Sequence, residues 1–131
     1  MEKGETMIPR DNHLPQVPTA QEYASALQRL YYEDIITENQ KFMIVQHSKM
    51  PDLTITATEM AILVGYKSWR GVNLQYGILG KRLRNYLSYS EEGIELYIIA
   101  YFLAPGEVGN SDWLLIMHQE VADAIKLLGW R

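Results

Sequence analysis

The residues with the most evident chemistry lie in one stretch, "GYKSWRGVNLQYGILGKRLRNYL", from Gly65 to Leu87. It holds five cations, Lys67, Arg70, Lys81, Arg82 and Arg84, and no acid, in a chain of net charge −4. Cations gathered in this way suit a polyanion: lysine and arginine neutralise phosphates and add affinity without reading sequence. Other side chains in the stretch can read bases. Arginine pairs bidentately with guanine, and asparagine or glutamine with adenine. If the stretch is a recognition helix, its N-terminal turns enter the major groove. Those turns carry Ser68, Trp69, Arg70, Asn73, Gln75 and Tyr76, while Lys67, Lys81, Arg82 and Arg84 are placed for phosphates. Plainer roles stand beside these. Lys81, Arg82 and Arg84 also suit the C-terminal end of a helix, where the backbone dipole favours cations. Trp69 and Tyr76 suit packing, Asn73 a backbone bond, and Gln75 a face turned to water.

Other chemistry is sparse. There is no cysteine, so disulfides and thiolate metal sites are excluded. His13, His47 and His118 are scattered, with no short-spaced ligand pair. His47, near the end of an amphipathic helix, reads as a surface or partly buried residue. Glu91 and Glu92 beside Glu95 read as a solvated turn rather than a cation site. The nucleophile elbow, the phosphate-binding loop and the dinucleotide fingerprint are absent. No catalytic constellation, cofactor site or metal site is expected. The longest apolar run, Leu96 to Pro105, is about half of what a bilayer span requires, and the acidic, proline-bearing N-terminus is no secretory signal. A cytosolic protein without membrane contact is expected. The pI of about 5.3 argues against a chain that is basic all over, but not against a local basic face. From Leu53 to Ser90 only Glu59 opposes the five cations.

The elements that must position these residues are legible from caps and periodicity. Residues 1–18 are polar and proline-rich and predict a flexible arm. Residues 19–131 predict a single domain. Thr19 with Glu22, Thr37 with Gln40, and Thr56 with Glu59 are three capping-box patterns. They predict helices through Tyr23, Ala26, Leu27 and Leu30, through Phe42, Ile44 and Val45, and from about Ala57 to Val64. Ile55 and Met60 are spaced as a hydrophobic staple. Gly65 sits where a left-handed residue ends a helix. Ser68 caps a fourth helix containing Val72, Leu74, Ile78, Leu79, Leu83 and Leu87. A short helix, a glycine turn and a longer helix form a helix-turn-helix. The glycines at 71, 77 and 80 each cost about 1 kcal/mol relative to alanine, which points to close approach of a helix or a ligand. Ile94–Leu103 and Trp113–Met117 read as an antiparallel hairpin, with loop signals at Pro105-Gly106 and Gly109-Asn110. Gln119–Leu128 reads as a last helix stopping at Gly129. The fold class expected is α+β, mainly α: a winged helix-turn-helix-like domain with about four helices, a β-hairpin wing and a C-terminal helix.

The stretches "TITATEMAILVGYKSWRGVNLQYGILGKRLRNYL" and "WLLIMHQEVADAIKLLGW", with "ITENQKFM" upstream, resemble the N-terminal, non-nuclease domain of HNH-type restriction endonucleases. The shared features are "ITAT" before a short helix, "GY" at the turn, "GVNLQYG" in the next helix, and the tryptophan-bearing strand and "LGW" helix. The resemblance spans about Thr19 to Trp130. It implies a domain that accompanies DNA cleavage. No His-Asn-His pattern can be assembled from the three histidines, so it implies a stand-alone recognition domain rather than a nuclease. "SWRG" departs from the smaller residues expected there and leaves the target open.

The function expected is non-catalytic binding of duplex DNA within a restriction-modification or phage-defence system. A second class is a protein-interaction module, such as a phage-encoded inhibitor or regulator of a defence nuclease, or an oligomeric adaptor. Its surface would be the strand "IELYIIAYFLAP", apolar on both faces, with Tyr97, Ile99 and Tyr101 meeting a protein partner or a second copy. The alternative for that strand is cover on both faces by the domain's own helices.

Overall fold

The computed structural model describes residues 18–87, 97–106 and 112–131. Four of the five described α-helices begin at a side-chain cap; the last, after His118, begins without one. Helix α1 (Ala20–Tyr32), α2 (Glu38–Ser48) and α3 (Ala57–Val64) all begin with reciprocal capping boxes. In each, a threonine hydroxyl accepts from the third amide and the third side chain accepts from the cap amide, at 2.8–3.1 Å. Two otherwise orphaned N–H groups are satisfied at each start. Helix α3 ends on Gly65 at φ 86°, a left-handed conformation that costs a side-chain-bearing residue. Ser68 then caps α4 (Trp69–Arg84), its hydroxyl accepting from the Arg70 amide at 3.2 Å. Helix α5 (Gln119–Leu128) ends on Gly129 at φ 70°.

Between α2 and α3 runs an element absent from the sequence reading. A 3₁₀ turn at Pro51–Leu53, with positive φ at Asp52 and Leu53, delivers the chain into β1 (Thr54–Thr56). Strand β1 pairs antiparallel with β3 (Leu114–Met117), which pairs on its other side with β2 (Ala100–Leu103). The sheet order is β1-β3-β2. The expected hairpin is therefore two thirds of a three-stranded sheet. A three-residue strand overlapping a helix cap offers too short a pattern to be read by alternation. Among the described residues the expected first strand runs over Ala100–Leu103; its expected start, over residues 94–96, lies outside them. So do the arm over residues 1–17, the acids Glu91, Glu92 and Glu95, and the loop signal at Gly109-Asn110.

The molecule is α+β and mainly helical, with a winged helix-turn-helix-like layout. The register aligns Ile55, Leu115 and Phe102 across the sheet, and all three are buried. Both faces of β2 are covered: every residue from Ala100 to Leu103 is buried. The main helical contact is between α1 and α5. Tyr23, in the first turn of α1, donates its hydroxyl to the Ile98 carbonyl just before β2. The end of α1 is tied to the chain after α4 by Tyr86, whose hydroxyl donates to Glu33 at 2.9 Å, while Arg29 pairs with the same carboxylate at 3.1 Å. The Tyr86 hydroxyl, then the Arg29 guanidinium, hold the Glu33 carboxyl below its ordinary range.

Candidate nucleic-acid interface

Helix α4 is the second helix of the helix-turn-helix, and its two faces differ sharply. The inward stripe is Val72, Tyr76, Leu79 and Leu83, spaced by four, three and four residues and all buried. The opposite arc carries Arg70, Leu74, Gly77 and Lys81, which lie within about 60° of one another at 100° per residue. Arg70, Leu74 and Lys81 are exposed and Gly77 is half-buried.

The ten residues singled out from the sequence divide between these faces. Lys67, Arg70 and Lys81 are exposed. Among the described residues no carboxylate pairs with any of the three. The Arg70 guanidinium carbon lies 4.7 Å from the centre of the Trp69 ring, a cation–π contact that rests it on the neighbouring side chain in the first turn of α4. Ser68 is spent on the helix cap. Trp69 is half-buried against the core, its ring 6.1 Å from Trp113. Arg84 is half-buried. Arg82 is turned inward and donates to the Ile35 carbonyl at 2.8 Å, so it fastens α4 to the segment after α1 rather than facing a phosphate.

The polar base readers expected in the middle of the helix do not face solvent freely. Tyr76 is 1% exposed and cannot reach a base edge. It donates its hydroxyl to Nδ1 of His47 at 2.8 Å, with the two rings stacked 5.9 Å apart. Gln75 accepts through Oε1 from the buried Gln40 at 2.9 Å. The Oδ1 atom of Asn73 is buried without a hydrogen-bond partner among the described residues. The sequence held the signal for Tyr76, because it falls four residues after Val72 and three before Leu79. Leu74 moves the other way. Named among the apolar residues of the helix, it is 61% exposed.

His47 is wholly buried, not on the surface. Its Nε2 lies 3.0 Å from the Leu53 carbonyl and 3.2 Å from that of Leu115. Two carbonyls on one nitrogen and a hydroxyl donor on the other fix the neutral tautomer with the proton on Nε2. Desolvation pushes the His47 pKa down to about 4, and burial pushes the Tyr76 phenol up. This pair joins α2, α4, the turn before β1, and β3.

The protein-binding surface expected at the strand is also revised. Ile99 and Tyr101 are buried and Tyr97 is half-buried; the Tyr101 ring packs edge-on against His118, at the start of α5. Among the described residues no group of three His, Asp or Glu side chains is placed to hold a metal. No helix among them is long and apolar enough to cross a membrane. Compared with protein-family models, curated proteins and solved structures, the chain gives no significant match.

Proposed function

We propose that the protein is a non-catalytic module that binds duplex DNA through α4. The observation that carries this is the outward arc of α4, with Arg70 and Lys81 exposed, Lys67 at the turn before it, and no paired carboxylate among the described residues. An unneutralised cationic surface on the second helix of a helix-turn-helix is suited to a phosphate backbone. The resemblance of "GVNLQYG" and its flanks to the non-nuclease domain of restriction endonucleases supports a role in restriction-modification or phage defence, in the cytoplasm.

The test is fluorescence anisotropy with a labelled duplex across a salt series. Binding at low salt that weakens steeply as salt rises is the expected result. It should weaken further in the Lys67→Ala, Arg70→Ala, Lys81→Ala variant. No binding at low salt overturns the proposal.

A second reading is a protein-interaction module, such as a regulator of a defence nuclease. It is favoured by exposed apolar side chains on both helices of the motif: Ile62 at 75%, Leu63 at 42% and Leu74 at 61%. A dimer or hetero-complex in size-exclusion chromatography, lost in Ile62→Ser, would support it.

A further inference from the structure

The outward arc of α4 offers a groove an unusual set of groups. A bidentate bond to adenine needs both the oxygen and the amino group of one amide side chain. Gln75 has its oxygen engaged by Gln40, and the Asn73 oxygen is buried. Tyr76 is in the core, Ser68 is in the cap, and Trp69 is against Trp113. What remains on the arc is one arginine, one leucine, one glycine and, at its far end, one lysine. Leu74 is 61% exposed, with Arg70 one turn before it and Gly77 one turn after it. A leucine has nothing to offer a donor or an acceptor. In the major groove its complement is the apolar C5-methyl group of a pyrimidine. Gly77, with no side chain, leaves room for the helix backbone to approach and for Leu74 to reach deepest.

Resting on the DNA-binding reading above, we infer that α4 reads a C5-methylated pyrimidine, thymine or 5-methylcytosine, through Leu74, beside a guanine read by Arg70. The spacing fits. Four residues rise about 6 Å along a helix, and stacked base pairs are about 3.4 Å apart, so the two bases are neighbours or one step removed. Charge complementarity selects the occupant: Lys67, Arg70 and Lys81 flank the leucine, and α4 contains no acid.

The experiment begins with selection of a high-affinity duplex from a random-sequence pool. That duplex is then resynthesised in two forms, one with deoxyuridine for thymine and one with 5-methylcytosine for cytosine. Burial of one methyl group is worth about fourfold in affinity. A loss of that size with deoxyuridine identifies thymine as the methyl source; a gain with 5-methylcytosine identifies the modified base. Either effect should vanish in Leu74→Ala, which still binds at low salt and keeps its circular dichroism spectrum, because Leu74 is outside the core. If neither substitution changes affinity, if the change persists in Leu74→Ala, or if selection yields no preferred sequence, methyl readout is overturned while DNA binding stands. If the starting pool does not bind at low salt, the proposed function falls and methyl readout with it.

Discussion

At the scale of single residues, His47 and Tyr76 carry the sharpest consequences. Nδ1 of His47 accepts from Tyr76 inside the core. Tyr76→Phe removes the donor and leaves a buried acceptor unsatisfied, which costs about 1–3 kcal/mol. Urea denaturation should show that loss with little change in slope. The imidazole also sets a pH dependence. Its folded pKa, about 4, lies below the ordinary histidine value of 6.5. The folded state therefore favours the neutral ring, and its contribution is complete above pH 6.5. As pH falls, the unfolded chain takes up the proton first, so stability declines from pH 6.5 toward pH 4 and levels off below. A difference of that size corresponds to about 3 kcal/mol in all. Denaturation at pH 7, 6 and 5 should trace the decline before most carboxylates titrate, and His47→Gln should flatten it.

At the scale of elements, the glycines of α4 separate into different roles. A Cβ on Gly71 would stand 3.1 Å from Cγ of Tyr66, tighter than an ordinary contact. Tyr66 is held there by a hydrogen bond from Asn39 to its hydroxyl at 2.8 Å. Gly71 thus serves the close approach of the turn to the first coil of α4. Replacing it by alanine gains up to about 1 kcal/mol of helix propensity but crowds the ring. The two substitutions should couple: Gly71→Ala is expected to be more favourable by about 1 kcal/mol in a Tyr66→Ala background than alone, as a double-mutant cycle by thermal denaturation can measure. Arg82 is another element-level device. It charge-assists a bond to the Ile35 carbonyl across 47 positions of sequence, so Arg82→Ala should lower stability by about 1.5–3 kcal/mol.

At the scale of the whole molecule, the net charge of −4 and a DNA-binding surface are compatible only if the cations are segregated. On α4 and the turn before it they are: Lys67, Arg70 and Lys81 stand clear of carboxylates among the described residues. Each phosphate contact contributes about 0.9 to the slope of log affinity against log salt. Replacing the two lysines by alanine should reduce that slope by about 2, as anisotropy titrations would show. A rim of cations that never touched phosphate would leave the slope unchanged.

The chain's own sequence determined its helices and the α+β class, because caps, glycine stops and helical periodicity act over a few residues. Thr19, Thr37 and Thr56, with Gly65 and Ser68, mark the helix ends within the string itself. Tertiary structure alone decided which side chains of α4 are left free. Asn73, Gln75 and Arg82 look available in sequence, and Leu74 looks like core, yet the first three are turned or tied inward and Leu74 is left in solvent. The reason is that exposure depends on partners distant in sequence: Gln40 engages Gln75, Ile35 receives Arg82, and His47 receives Tyr76. Strand β1 likewise exists only because β3, some sixty positions away, supplies its ladder.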